Sequence, residues 1–184
     1  LPGEGEIRRL QNLLERQVPK DCTVAPLFGA MDFKAQRAAI NPATEGRKIV
    51  LASSIAETSP TIEGIRIVVD GGRSRRAEFN PSSAMSRLVT TRVTQAEATQ
   101  RAGRAGRMSE GVAYKLWTKG DDGALAAYQP AEIESGDLSA FALELALWGA
   151  QAEELAFVTP PHAGRLMEAK LLLHMLGALD AQHR

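Results

Sequence analysis

Arg101, Arg104 and Arg107 recur at three-residue spacing behind Gln100, with Gly103 and Gly106 between them. A guanidinium is a planar fork of donors that stays charged, so an ordered set of three suits phosphate oxygens. On a helix, this spacing places Arg104 and Arg107 on adjoining faces, able to reach one target. Glycine costs about 1 kcal/mol in a helix relative to alanine, so the glycines point to close approach of a ligand or another backbone. A generic basic segment rich in arginine and glycine lacks such ordered spacing.

A second cluster lies at residues 52–65, a loop that holds Ser53, Ser54, Thr58, Ser59 and Thr61 between two apolar runs. Hydroxyls and free backbone N–H groups can hold a phosphodiester chain without reading its bases. If the flanking runs are parallel strands, the loop sits at their carboxyl ends, where α/β sheets bind ligands.

Both clusters need a scaffold, and the hydrophobic pattern supplies one. Residues 4–17 carry Ile7, Leu10, Leu13 and Leu14 on one stripe, which predicts an amphipathic helix. Short apolar β-prone runs at 23–28, 48–52, 65–70 and 112–117 predict strands. A helix capped by Asp32 is predicted to end at Asn41-Pro42, and another is predicted over 95–106, opened by a Thr94/Glu97 capping box. Strands alternating with helices imply a parallel, three-layer α/β sheet. Residues 71–94 break the rhythm, with a turn signal at 80–83 between two strand-like flanks, and read as a long exposed hairpin. Beyond residue 124 the pattern is helical, with runs at 137–148, stopped by Gly149, and at 163–177. A domain boundary is expected within 123–137, where Gly, Asp and Pro cluster.

The formal net charge is zero, yet residues 66–107 carry nine arginines and no lysine against Asp70, Glu78 and Glu97. Residues 108–184 balance this with eleven acids against five basic residues. The arginines therefore either meet phosphate or pair with the acidic third. The composition, 24% charged and 44% hydrophobic, is that of a folded globular chain rather than a disordered one. No apolar run approaches the roughly 20 residues of a membrane span, and the first residues do not read as a secretory signal. The single cysteine, Cys22, reads as a small core residue in a reducing compartment, which points to the cytoplasm. His162, His174 and His183 have no metal-ligand spacing, and His174 reads as a core or interface residue. Trp117 and Trp148 read as core anchors.

Taken together, the loop at 52–65 and the QRAGRAGR run at 100–107, which starts 36 residues after Gly64, resemble motifs V and VI of DEAH-box superfamily 2 helicases. Residues 26–31 (PLFGAM) resemble motif IV, and LPGEGEI at 1–7 resembles the end of the first strand and the start of the first helix of the second RecA-like domain. The segments at 130–133, 137–138, 143–145 and 148–149 resemble the winged-helix region that follows. The resemblance covers essentially the whole chain. It implies a RecA-like α/β domain of P-loop NTPase type over 1–123, with an exposed β-hairpin, then a small, mostly helical winged-helix-type segment over 124–184.

The resemblance also assigns roles. Arg104 and Arg107 match arginine fingers that reach a γ-phosphate bound on the other RecA-like domain, and Gln100 matches the residue that orders the attacking water. Glu63, Arg101, Gly103 and Ile40 fall on the ATP side. Ser53, Ser54, Thr58, Ser59 and Thr61 match positions along a nucleic-acid backbone, and Arg75, Arg76, Asn80 and Arg87 lie in the hairpin that parts strands. Three positions depart from the family pattern: Ser53-Ser54 for Thr-Asn, Pro60 for a β-branched or leucine residue, and Ile40 for an aromatic that stacks on adenine. Neither G-x-x-x-x-G-K-[ST] nor Asp-Glu-x-His occurs. ATP and Mg2+ are therefore expected to be held mainly by a preceding RecA-like domain, and this chain alone is not expected to hydrolyse ATP. The expected partners are that domain and single-stranded nucleic acid, RNA foremost. A DNA-directed translocase and a catalytically inactive binding scaffold are the alternatives.

Overall fold

Ile7, Leu10 and Leu14 repeat along one side of helix α1 (Glu4–Leu14) and bury it: Ile7 is fully enclosed against Phe28 and Leu51. The helix closes three residues before the expected end, because Gln17 and Val18 both donate to the Leu14 carbonyl in a tightened last turn before Pro19. The computed structural model describes residues 1–58, 62–80 and 82–180 of the chain.

Strand β1 (Cys22–Leu27) leads into α2 (Phe33–Ile40), whose first turn is capped by the Asp32 carboxylate accepting from the Ala35 N–H at 2.9 Å. Strand β2 (Arg47–Ala52) then pairs in parallel with β1, in register from Cys22 opposite Arg47 to Leu27 opposite Ala52. A short helix, α3 (Ile55–Thr58), follows where the sequence predicts only loop. Strand β3 (Ile67–Asp70) closes this half of the unit.

Strands β4 (Arg73–Asn80) and β5 (Met85–Arg92) pair with each other alone. Helix α4 (Gln95–Ala102) starts at the predicted capping box, with the Thr94 side chain accepting from the Glu97 N–H and the Glu97 carboxylate accepting from the Thr94 N–H. Strand β6 (Val112–Lys115) lies parallel to β3, and α5 (Lys119–Gly123) follows with a second capping box from Thr118 and Asp121.

The predicted continuous sheet is not what forms among the described strands. They make three two-stranded sheets, β1–β2, β3–β6 and β4–β5. Ile67 and Val69 of β3, and their register partners Val112 and Tyr114, all remain exposed.

The backbone groups into two units, residues 1–76 with 90–129, and residues 77–89 with 130–184. The second unit includes the far end of the β4–β5 pair, and its longer segment starts at residue 130. Phe79 and Ala84 line a cavity of about 360 Å³ together with Leu138, Leu172 and Met175 of the same unit. Its helices are α6 (Glu132–Ser135), α7 (Ser139–Trp148) and α8 (Ala163–Met175), with a 3-10 turn at Ala152–Glu154. Ala142, Leu145, Leu166, Ala169 and Leu173 form the core between α7 and α8. Gly149 stops α7 at φ 69°, as predicted for a left-handed cap. Trp148, expected as a core anchor, is 73% exposed. It is the last residue of α7, directly before the Gly149 stop, where the helix runs out. Trp117 is half-buried against Val93, Ala98 and Leu125, with its indole N–H donating to Asp122 at 2.8 Å. Cys22 is half-buried and unpaired.

The β3–β4 corner is a tight turn beside the arginine cluster. Gly72 sits at φ +69°, and a Cβ there would lie 2.8 Å from the Trp117 ring. Gly72→Ala is expected to lower the unfolding free energy by about 1–3 kcal/mol, read from the urea midpoint of this chain.

Candidate functional site

The predicted arginine helix ends early, and that changes how the arginines are presented. α4 stops at Ala102 with Gly103 as its cap, so Arg101 is helical while Arg104 and Arg107 lie in the turn beyond. Past Ala102 the chain continues in a tightened turn, with Gly103 still in right-handed helical geometry. The Arg104 N–H donates to the Arg101 carbonyl and the Ala105 N–H to that of Ala102, so Arg104 and Arg107 do not lie on an α-helical face. A Cβ at Gly106 would meet nothing within 4 Å, so no neighbouring backbone crowds that position.

Arg101 points back into the first unit. Its Nε and Nη2 both reach Glu57 Oε1 at 2.7 Å, while Nη1 donates to Asp70 Oδ1 at 2.9 Å and to the Arg73 carbonyl at 3.1 Å. Burial lowers its proton affinity, but the carboxylates of Asp70 and Glu57 outweigh that and raise it above the ordinary arginine value. Arg104, half-buried, donates through Nη2 to the Glu57 carbonyl. Burial, then the nearby charge of Arg107, lowers the Arg104 guanidinium from its ordinary value against the pull of Glu57. An arginine so placed remains charged at neutral pH and gains from an anion nearby.

Ser53 and Ser54 stand just beyond the carboxyl end of β2, and their carbonyls accept from Ala56 and Glu57 to open α3. Asp70 ends β3. Asp70 thus engages Arg101 from the carboxyl end of a parallel strand, where such sheets carry ligands, and Glu57 does so from the short helix that follows β2. Gln100 is exposed on α4, and Glu63 is exposed in the turn at 63–64. Ile40 is the half-buried last residue of α2. Ser59, Pro60 and Thr61 lie outside the described residues, as does the side chain of Thr58.

The hairpin candidates separate. Arg76 makes a 2.5 Å ion pair with the buried carboxylate of Glu97, and Arg75 pairs with Glu6 at 3.4 Å. Asn80 Oδ1 accepts from the Ser82 N–H and hydroxyl, each at 3.0 Å, and Arg87 is exposed. Asn80 and Arg87 belong to the second unit, Arg75 and Arg76 to the first. Of the segment's pairing arginines, Arg92 meets Asp121 in the acidic third, whereas Arg75, Arg76 and Arg101 find acids within the first 97 residues.

Reading the sequence missed Glu57 and Asp70 as partners of Arg101. One signal was available: Asp70 and Glu97 are two of only three acids in the arginine-rich stretch, and acids there are candidates for buried pairing. Among the described residues no group of three or more His, Cys, Asp or Glu is placed to hold a metal ion, and no helix is long and apolar enough to cross a membrane.

Known proteins place this arrangement. Residues 5–109 match the helicase conserved C-terminal domain. ATP-dependent RNA helicase HrpB of Escherichia coli strain K12 is 46% identical over 184 residues, which span 99% of this chain and 23% of that protein. Mouse probable ATP-dependent RNA helicase DHX34 is 38% identical over 160 residues, 86% of this chain and 14% of that protein. Two crystal structures of E. coli HrpB superpose with TM-scores of 0.91 and 0.93 at 46% and 44% identity, covering 99% of this chain and 23% and 24% of those chains. The chain thus spans less than a quarter of these relatives, and with its arginine turn inside the matched region it belongs to the helicase conserved C-terminal domain family.

Proposed function

We propose that this chain is the second RecA-like module of a DEAH-box ATP-dependent RNA helicase, followed by the start of a winged-helix-type accessory segment. The observation that carries the reading is the charged turn of Arg104 and Arg107 beyond Gln100, set against the Glu57 turn at the strand ends. Phosphoryl transfer spreads negative charge over the γ-phosphate oxygens, and a finger supplied from a second domain stabilises that charge only when the domains close. Arg104 and Arg107 act as those fingers, and Gln100 orders the attacking water. Glu63, Gly103 and Ile40 face the nucleotide. The ATP phosphates and Mg2+ are held mainly by a preceding RecA-like domain.

Ser53 and Ser54, with Thr58, Ser59 and Thr61, grip the backbone of a single strand, so that closure and reopening move the grip along it. The β4–β5 pair is an exposed hairpin that parts strands. The full-length protein works in the cytoplasm and acts on RNA, the substrate that the names of HrpB and DHX34 give for those relatives.

ATP hydrolysis by the full-length protein, alone and with single-stranded RNA or DNA, tests the reading. Strong stimulation by RNA is expected. Stimulation by DNA alone would make it a DNA translocase, and retained binding without hydrolysis would make it a scaffold. Deleting residues 80–84 is expected to slow duplex unwinding by about tenfold or more while ATP turnover stays within about twofold. Undiminished unwinding would remove the strand-parting role.

A further inference from the structure

The phosphate-directed reading of Arg101 does not use the most buried charge cluster in the first unit. Arg101, Glu57 and Asp70 have side-chain exposures of 12%, 11% and 6%. A guanidinium has five N–H donors, and Arg101 directs its Nε, Nη1 and Nη2 to two carboxylates and one carbonyl. Turning it toward a phosphate would leave both carboxylates buried without their cation, which is strongly unfavourable.

The three partners occupy three different elements. Glu57 lies in α3, immediately before Thr58 and the strand-gripping loop. Asp70 ends β3, and its Oδ1 also accepts from the Gly72 N–H at 2.9 Å, holding the β3–β4 corner. The Arg73 carbonyl opens β4. Glu57 is moreover held twice by the arginine segment, its carboxylate by Arg101 and its carbonyl by Arg104.

We propose that Arg101 is a positioning residue that locks the Glu57 turn and the β3–β4 corner to the helix bearing Gln100, so that displacement of the arginine turn is passed to the strand-gripping loop. This rests on the helicase reading above. The connections are short, directional and charge-assisted, so α3, the corner and α4 shift together rather than sliding as apolar side chains can.

The test uses the full-length protein with Glu57→Gln, Asp70→Asn or Arg101→Lys, and ATP turnover titrated with a single-stranded oligouridine. Arg101→Lys keeps the charge, but one ammonium cannot replace the fork across both carboxylates and the Arg73 carbonyl. In all three variants the RNA concentration for half-maximal stimulation rises by about tenfold, a typical coupling magnitude. For Glu57→Gln and Asp70→Asn, turnover at saturating RNA stays within about threefold and KM for ATP within about twofold. Glu57→Gln combined with Arg101→Lys is no worse than the more damaged single variant, because both remove one connection.

An unchanged half-saturating RNA concentration overturns the proposal. So does a raised KM for ATP alone, which would return Arg101 to the nucleotide. A lowered Tm with uniformly lower turnover and no RNA shift would reduce Arg101 to a plain fold-stabilising residue, and also overturns it. If the wild-type protein shows no stimulation by RNA, the helicase reading fails and this proposal with it. If the wild type is stimulated and the variants titrate identically, only the positioning role fails.

Discussion

Replacing Arg104 by alanine in the full-length protein is expected to lower ATP turnover by about 10³–10⁵ and to leave affinity for single-stranded nucleic acid nearly unchanged. The first part follows from charge. Arg104 lies past the end of α4, its guanidinium lowered by burial and by the nearby charge of Arg107, a setting in which a developing negative charge is welcome. Arg101 does not take the vacated place, because it is already committed to Glu57 and Asp70, and Arg107 has its own contact to make as the second finger. The second part follows from how the Glu57 turn is fixed. Removing Arg104 takes away the donor to the Glu57 carbonyl, yet Arg101 still holds the carboxylate by two contacts of 2.7 Å. The turn leading into the gripping loop therefore stays in place. Steady-state hydrolysis, beside anisotropy titration of a labelled oligonucleotide, separates the two effects. A parallel loss of binding would move Arg104 onto the strand-binding surface.

What could be read in the sequence, and what could not, divides along physical lines. Local rules located α2, with its Asp32 cap, α4, with its Thr94/Glu97 box, and the Gly149 stop of α7, because each depends on residues within one or two turns. The same rules missed α3 and α5, four and five residues long, where hydroxyl and acidic residues suggest loop and only α5 carries a capping box of its own. Periodicity found the runs that become β1, β2, β3 and β6 but not which edges meet, since pairing is decided by contacts distant in sequence.

At the candidate site, spacing drew attention to Arg101, Arg104 and Arg107 as one set. The structure splits the set: Arg101 turns inward to acids 31 and 44 residues away, while Arg104 and Arg107 follow the helix cap. Three identical side chains at equal spacing carry no mark of which will find a buried carboxylate. Arg76 makes the same point. In sequence it belongs with the hairpin's exposed arginines, and in the structure it reaches the one carboxylate that also caps α4.

That carboxylate sets the second large effect. Glu97→Ala is expected to destabilise the chain by about 3–5 kcal/mol, the range for removing one partner of a buried ion pair. Glu97 is 4% exposed and accepts from Arg76 at 2.5 Å, from the Thr94 N–H at 2.7 Å and from Gln129 at 2.5 Å. Its loss strips the capping box and leaves Arg76, whose Nε is already buried without a partner, with no counter-charge. Burial pushes the Glu97 carboxyl up, but the Thr94 N–H and hydroxyl, then Ser74 and Arg76, overcome it and hold the carboxyl below the usual range. A group depressed in the fold stabilises fully above its unfolded value, about 4.3 for glutamate, and loses that contribution as pH falls through the folded value. The gap between wild type and Glu97→Ala in urea unfolding should thus be complete near pH 7 and narrow at about pH 3. A gap of equal size at both would mean that Glu97 acts by filling space. A loss below about 1 kcal/mol would mean that Arg76 finds another acceptor or reaches water, as a surface pair would allow.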